Sequence, residues 1–99
     1  MNSAPSLTEQ AKVAIRAIHG AKIETWVARP WASVTFSGRR IFAELTFPSV
    51  AAGEAFVADF PEHEFALRSG LVADAAIVSV RAEPDFRVGA ELLILDEQS

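Results

Sequence analysis

His19 and His63 are the only imidazoles in the chain, and cysteine is absent, so thiolate nucleophiles, thiolate metal sites and disulfides are excluded. His63 is the stronger candidate for chemistry. It lies between Glu62 and Glu64 and close in sequence to Asp59, and an imidazole among carboxylates is the setting of a general base or a metal ligand. Extended backbone works against convergence, because successive side chains point to opposite sides. Glu62 and Glu64 then face away from His63, and a solvated turn accounts for all three without a metal. His63 remains the one catalytic candidate, and no metal site is expected. His19, in the last turn of the first predicted helix, is placed to complement that helix's C-terminal dipole.

Other chemistry-bearing patterns are missing. Ser37-Gly38 and Ser69-Gly70 read as turns, and neither belongs to a G-x-S-x-G elbow. The five glycines are scattered, so there is no phosphate loop or dinucleotide fingerprint, and no cofactor is expected. Glu44 and Glu91 are carboxylates that strand pairing could bring together, but only burial would tune them for acid–base work.

A second constellation combines apolar and cationic groups: Arg29, Trp31, Phe42, Ile77, Arg81 and Leu93. These are the residue types of a ligand pocket or a protein interface, with Arg29 and Arg81 able to hold a small anion. Strand aromatics beside arginine also suit RNA stacking. The chain lacks a matching RNP-type segment, however, and its net charge of −4 opposes phosphate binding. Nucleic acid is not expected.

The elements that position these residues can be read from capping and periodicity. Ser6-Leu7-Thr8-Glu9 has a capping-box pattern, and Leu7, Ala11, Ala14, Ile15 and Ile18 follow at helical spacing up to Gly20. A first helix is predicted over 7–19. A two-residue turn at Gly38-Arg39 then predicts a hairpin pairing Phe36 with Ile41, Val34 with Ala43 and Ala32 with Leu45 on one face. Trp31, Ser33, Thr35, Phe42, Glu44 and Thr46 take the other face. The first strand can extend back through Trp26, with Pro30 marking a bend or an edge.

Ser49 predicts the cap of a second helix bearing Ala52, Phe56, Val57 and Phe60, which Pro61 stops. Gly53 within it costs roughly 1 kcal/mol relative to Ala and so marks a close packing contact. Residues 62–74 have the weakest pattern: Phe65 and Leu67 alternate, Ser69-Gly70 interrupts, and Leu71-Val72 resumes. A second hairpin closes the chain, pairing Ala82 with Val88, Val80 with Ala90, Val78 with Leu92 and Ala76 with Ile94 around a loop at 83–87.

The expected class is therefore α+β: a two-layer sandwich of αββαββ order, with two helices on one face of a four-stranded, mainly antiparallel sheet. A ferredoxin-like sandwich permuted so that a helix comes first has this element order. Ninety-nine residues suit one domain, expected over 6–99 after a disordered lead-in at 1–5. The chain opens Met-Asn-Ser-Ala-Pro without a signal pattern and contains no long apolar run, which points to the cytoplasm and away from membranes. Residues 1–40 carry six basic groups against two acidic ones, and residues 41–99 three against eleven, a polarity that folding can interleave.

The predicted sheet carries more apolar side chains than two helices can cover. Trp31, Phe42, Ile77, Leu93 and Leu95 fall on the face away from the helices, which an antiparallel sheet with one wet side would keep polar. Three readings fit. Residues 62–74 fold across the patch, a second copy or another protein covers it, or it forms a cleft for a ligand or a small enzyme's substrate. A binding or assembly module, self-associating as a homodimer, is the reading favoured over an enzyme.

Overall fold

The computed structural model describes residues 6–96, so the expected lead-in at 1–5 lies outside the described residues. Helix α1 (Leu7–Arg16) starts where the Ser6 hydroxyl accepts the Glu9 amide at 3.1 Å. The box is only half made, because the Glu9 carboxylate pairs with Lys12 at 3.4 Å. The helix stops short of His19. His19 and Gly20 both take positive φ (51° and 71°) and turn the chain into β1 (Lys22–Ala32).

There follow β2 (Ser37–Thr46), α2 (Val50–Asp59), a 3-10 turn (Phe60–Glu62), β3 (Gly70–Arg81) and β4 (Arg87–Asp96). Ser49 caps α2 by accepting the Ala52 amide at 3.1 Å, and Pro61 opens the 3-10 turn that ends the helix. The strands form one antiparallel sheet in the order β1-β2-β4-β3. The architecture is α+β, with a four-stranded antiparallel sheet and two helices packed into a common core.

The first hairpin turns earlier than expected. Ser33 closes it, its amide donating to the Phe36 carbonyl at 2.7 Å and its hydroxyl accepting the Phe36 amide at 3.1 Å. Gly38 is a strand residue opposite Leu95, where a Cβ would run into the Ile94 carbonyl. Trp26 therefore pairs with Ala43 and Ala28 with Ile41, while Val34 and Phe36 leave the sheet for an exposed loop. Because the pairing slides by an even number of residues, Trp31 and Phe42 keep their predicted face.

The second hairpin departs through bulges. Register shifts fall between Val72 and Asp74 and between Ile77 and Ser79. Three assignments are inverted: Ala76 pairs with Glu91 on the open face and not with Ile94, Ile77 pairs with Ala90 and packs against the core, and Val78 is exposed. Val80 pairs with Val88 on the core side but remains exposed at the end of β3.

The core is built on Ile15, Ile41, Leu45, Phe56, Phe60, Val88, Leu92 and Ile94, all fully buried. Phe56 and Phe60 stack at 4.9 Å, with Phe47 tilted against Phe56 and Phe65 edge-on to Phe60. Gly53 marks a close contact, as its position in the helix suggested, since a Cβ there would collide with the Phe86 ring. Residues 63–69 belong to this helical side. Phe65 and Leu67 pack on the core, and Gln10 of α1 accepts the Arg68 amide at 2.7 Å. No helix among the described residues is long and apolar enough to cross a membrane.

Candidate functional site

Placing 63–69 beside α1 leaves the opposite face of the sheet without a cover from that segment. Register fixes what this face displays, row by row across β1, β2, β4 and β3. Trp31, Gly38, Leu95 and Leu71 form one end. Arg29, Arg40, Leu93 and Asp74 come next, then Val27, Phe42, Glu91 and Ala76. Thr25, Glu44, Gly89 and Ser79 follow, and Thr46, Arg87 and Arg81 close the far end.

Val27, Phe42, Leu71 and Val78 are between 43% and 54% exposed, while Trp31, Leu93 and Leu95 are half-buried. Val27 is beside Phe42, Val78 reaches toward Phe42 across Gly89, and Leu71 lies in the end row beside Leu95. Gly38 lies between Trp31 and Leu95 in this row, where the β4 backbone approaches too closely for a Cβ. Paired charges lie among these apolar side chains. Arg40 reaches Glu91 at 3.0 Å, and Arg87 reaches Glu44 at 3.3 Å and Asp85 at 3.4 Å. Arg40–Glu91 joins the basic-rich first part of the chain to its acidic second part, while Arg87, Glu44 and Asp85 all belong to the second. These pairs also separate Glu44 from Glu91, which do not form a carboxylate pair.

Of the candidate residues, Arg29, Trp31, Phe42 and Leu93 lie together on this face, and Ile77 does not. Arg81 shares the face but sits on β3, three strand spacings or about 14 Å from β1, and several residues along the strands from the row of Arg29. The two arginines do not converge on one anion. The sequence pattern missed Leu71, which precedes the expected strand, and Val78, which only the bulge turns outward.

His63 is elsewhere. It is exposed, its ring edge-on to Phe65 at 4.6 Å, in an open depression of about 500 Å³ that Glu64 and Asp74 also line. No group of three or more metal-binding side chains occurs among the described residues. Asp59 turns away to His19, whose Nε2 lies 2.6 Å from Oδ2. His19 thus ties the corner after α1 to the end of α2 instead of capping its own helix. A second depression, of about 160 Å³, lies on the open face among Glu44, Ser79, Arg81 and Arg87. Among the described residues no polar or charged side chain is buried, so the geometry offers no desolvated acid or base. Comparison with protein-family models, with curated proteins and with solved structures finds no match.

Proposed function

We propose that this protein is a binding and assembly module that associates with a second copy of itself through the open sheet face. The carrying observation is the patch of Val27, Phe42, Leu71 and Val78, left substantially exposed beside Trp31 and Leu93 while 63–69 packs on the other side of the sheet. Four strands at about 4.8 Å spacing and some 30 Å of strand present roughly 600 Å² per copy. A face-to-face pair would therefore cover about 1,200 Å², the lower bound of stable interfaces. The Arg40 and Glu91 charges near the centre of the face are already paired with each other, which lowers the cost of covering them.

The strand order β1-β2-β4-β3 with helices before each hairpin is what a ferredoxin-like sandwich gives when its first strand is moved to the end, and we read the fold so. A cytoplasmic setting accords with a chain lacking cysteine. Sedimentation velocity across a concentration series tests the association. The wild type is expected to shift from monomer to dimer in the micromolar range, and Trp31→Glu to stay monomeric by forcing a charge into the contact. A wild type that sediments as a monomer at every loading removes the proposal.

A second reading has a specific observation behind it. The 160 Å³ depression with Ser79, Arg81 and Arg87 has the size and charge to take a small anion beside Glu44. Titration with inorganic phosphate or sulfate, followed by amide shifts of Ser79 and Gly89, distinguishes it. Saturable shifts there in a monomeric protein favour a ligand-binding or enzymatic role over assembly.

A further inference from the structure

Ser33 closes the turn between β1 and β2, its amide and hydroxyl both engaging Phe36. Polar residues and glycine ordinarily fill the rest of such a loop. Here Val34 is fully exposed and Phe36 is 45% exposed, beyond the last strand pair of Ala32 with Ser37. Neither packs on the buried core, and neither lies on a strand of the open face. Folding and the proposed self-association therefore leave both without a role.

The charges behind this tip have one sign. Residues 25–43 include Arg29, Arg39 and Arg40 and no acidic residue. Arg40 is paired with Glu91, whereas Arg29 and Arg39 make no ion pair among the described residues. Arg29 stands on the face of Phe42 and Arg39 on the opposite one, so the two bracket the hairpin. Their rows lie three and two residues behind the Ala32–Ser37 pair, about 10 and 7 Å at the rise of a strand. Half-buried Trp31 comes one residue behind that pair. Asp96 opposes them at the base of the loop, where it accepts the Ser37 hydroxyl at 3.4 Å. Asp74 shares the row of Arg29 but sits on β3, at the far edge of the sheet.

Inward from the tip, apolar, indole and guanidinium groups follow one another. A lipid leaflet offers acyl chains, an interface and charged headgroups in the matching order. Surface attachment buries apolar groups about 5–10 Å deep and needs no spanning helix. At that depth the arginine heads reach the headgroups while their stems cover apolar surface. A protein partner would need about 1,000 Å² of contact, far more than two side chains on a narrow loop supply. A leaflet needs no fitted surface, and anionic lipid adds an attraction for each arginine.

We propose that the β1–β2 turn is a reversible membrane contact, in which Val34 and Phe36 enter an anionic lipid surface and Arg29 and Arg39 meet its headgroups. Vesicle flotation tests it. The wild type should float with phosphatidylcholine vesicles containing about a third phosphatidylserine at about 0.1 M salt, and far less with phosphatidylcholine alone or at about 1 M salt. Arg29→Gln and Arg39→Gln should each weaken binding about fivefold. Val34→Asp should abolish it, whereas Val13→Asp, the same change at an exposed position on α1, should leave it intact. Phe36→Ser gives a second tip variant, expected to weaken binding about tenfold. Circular dichroism verifies the fold of each.

Without lipid, Val34→Asp should sediment as the wild type does, because the tip lies beyond the sheet face; this keeps the contact separate from self-association. Three results overturn the membrane contact and leave the sheet-face proposal untouched: no flotation with the anionic vesicles, equal flotation with neutral ones, or equal flotation of the two Asp variants.

Discussion

Adding one methyl group at Gly53 should destabilise the protein, although helix propensity alone predicts the reverse. In an unencumbered helix interior Gly→Ala gains about 0.5–1 kcal/mol. Here the new Cβ would collide with the Phe86 ring, with Cγ at 2.9 Å. The ring has little room to yield, because Phe86 is 8% exposed and sits edge-on to Phe47 at 6.2 Å. Overpacking of this kind costs typically 1–3 kcal/mol. The net expectation for Gly53→Ala is a loss of about 1 kcal/mol, or ~5 °C in Tm for a chain of this size.

Trimming the ring should invert the sign. In a Phe86→Leu background the methyl group finds space, and Gly53→Ala should then stabilise by up to about 1 kcal/mol, a coupling of roughly 2 kcal/mol between the two sites. Urea unfolding of the four proteins at one fixed concentration measures it, since association would otherwise contribute. A higher midpoint for Gly53→Ala in the wild-type background, or equal effects in both backgrounds, would show that Phe86 does not fill the space above Gly53.

Four smaller predictions follow from the same geometry. Ser6→Ala and Ser49→Ala each remove a hydroxyl that accepts the third amide of a helix, and each should cost about 1 kcal/mol in urea unfolding; a loss at Ser49 alone would place the start of α1 elsewhere. The His19–Asp59 contact is partly exposed at both ends, so Asp59→Ala should cost less than about 1 kcal/mol, and a larger loss would mean that this contact organises the corner between α1 and β1. Phe42→Ser should leave the fold intact by circular dichroism while abolishing any rise in wild-type Tm with protein concentration; a rise that persists would place the contact on another surface. His63→Ala should change neither stability nor self-association measurably, because the ring is exposed and edge-on to Phe65, and a clear change in either would return His63 to the functional candidates.

The parts of the fold written in local chemistry were legible in the sequence. Ser6, Ser49 and Pro61 act within a turn of where they stand, so both helix starts and the second helix stop follow from residue type. The strand faces of Trp31, Phe42 and Leu93 also follow, because alternation survives an even slide of register. What decided the register was less visible. Ser33 closes the first hairpin with its own amide and hydroxyl, and that competes with a turn at Gly38 that sequence rules prefer. Gly38 is instead required by the approach of β2 to the Ile94 carbonyl on β4, a contact between strands far apart in the chain. The bulge that buries Ile77 and exposes Val78 leaves no trace in an alternating apolar run. Nor could spacing join His19 to Asp59, forty residues apart.

The same irregularities bear on why the face, and not an edge, should be the contact. A four-stranded open sheet offers two routes to self-association: adding strands at its edges or stacking on its uncovered side. Edge addition needs a straight row of free amides and carbonyls, and bulges or proline interrupt such a row. Both edges here are interrupted. β1 carries Pro30, which has no amide hydrogen to donate, and a register shift between Ile23 and Thr25. β3 carries two further shifts, at 72–74 and 77–79. The second of these also pushes Val78 out beside Gly89, within reach of Phe42. One irregularity therefore spoils an edge and enlarges the apolar patch at the same time. A chain protected only against aggregation would gain from the first effect and lose from the second. Both effects together accord with the proposed face-to-face contact.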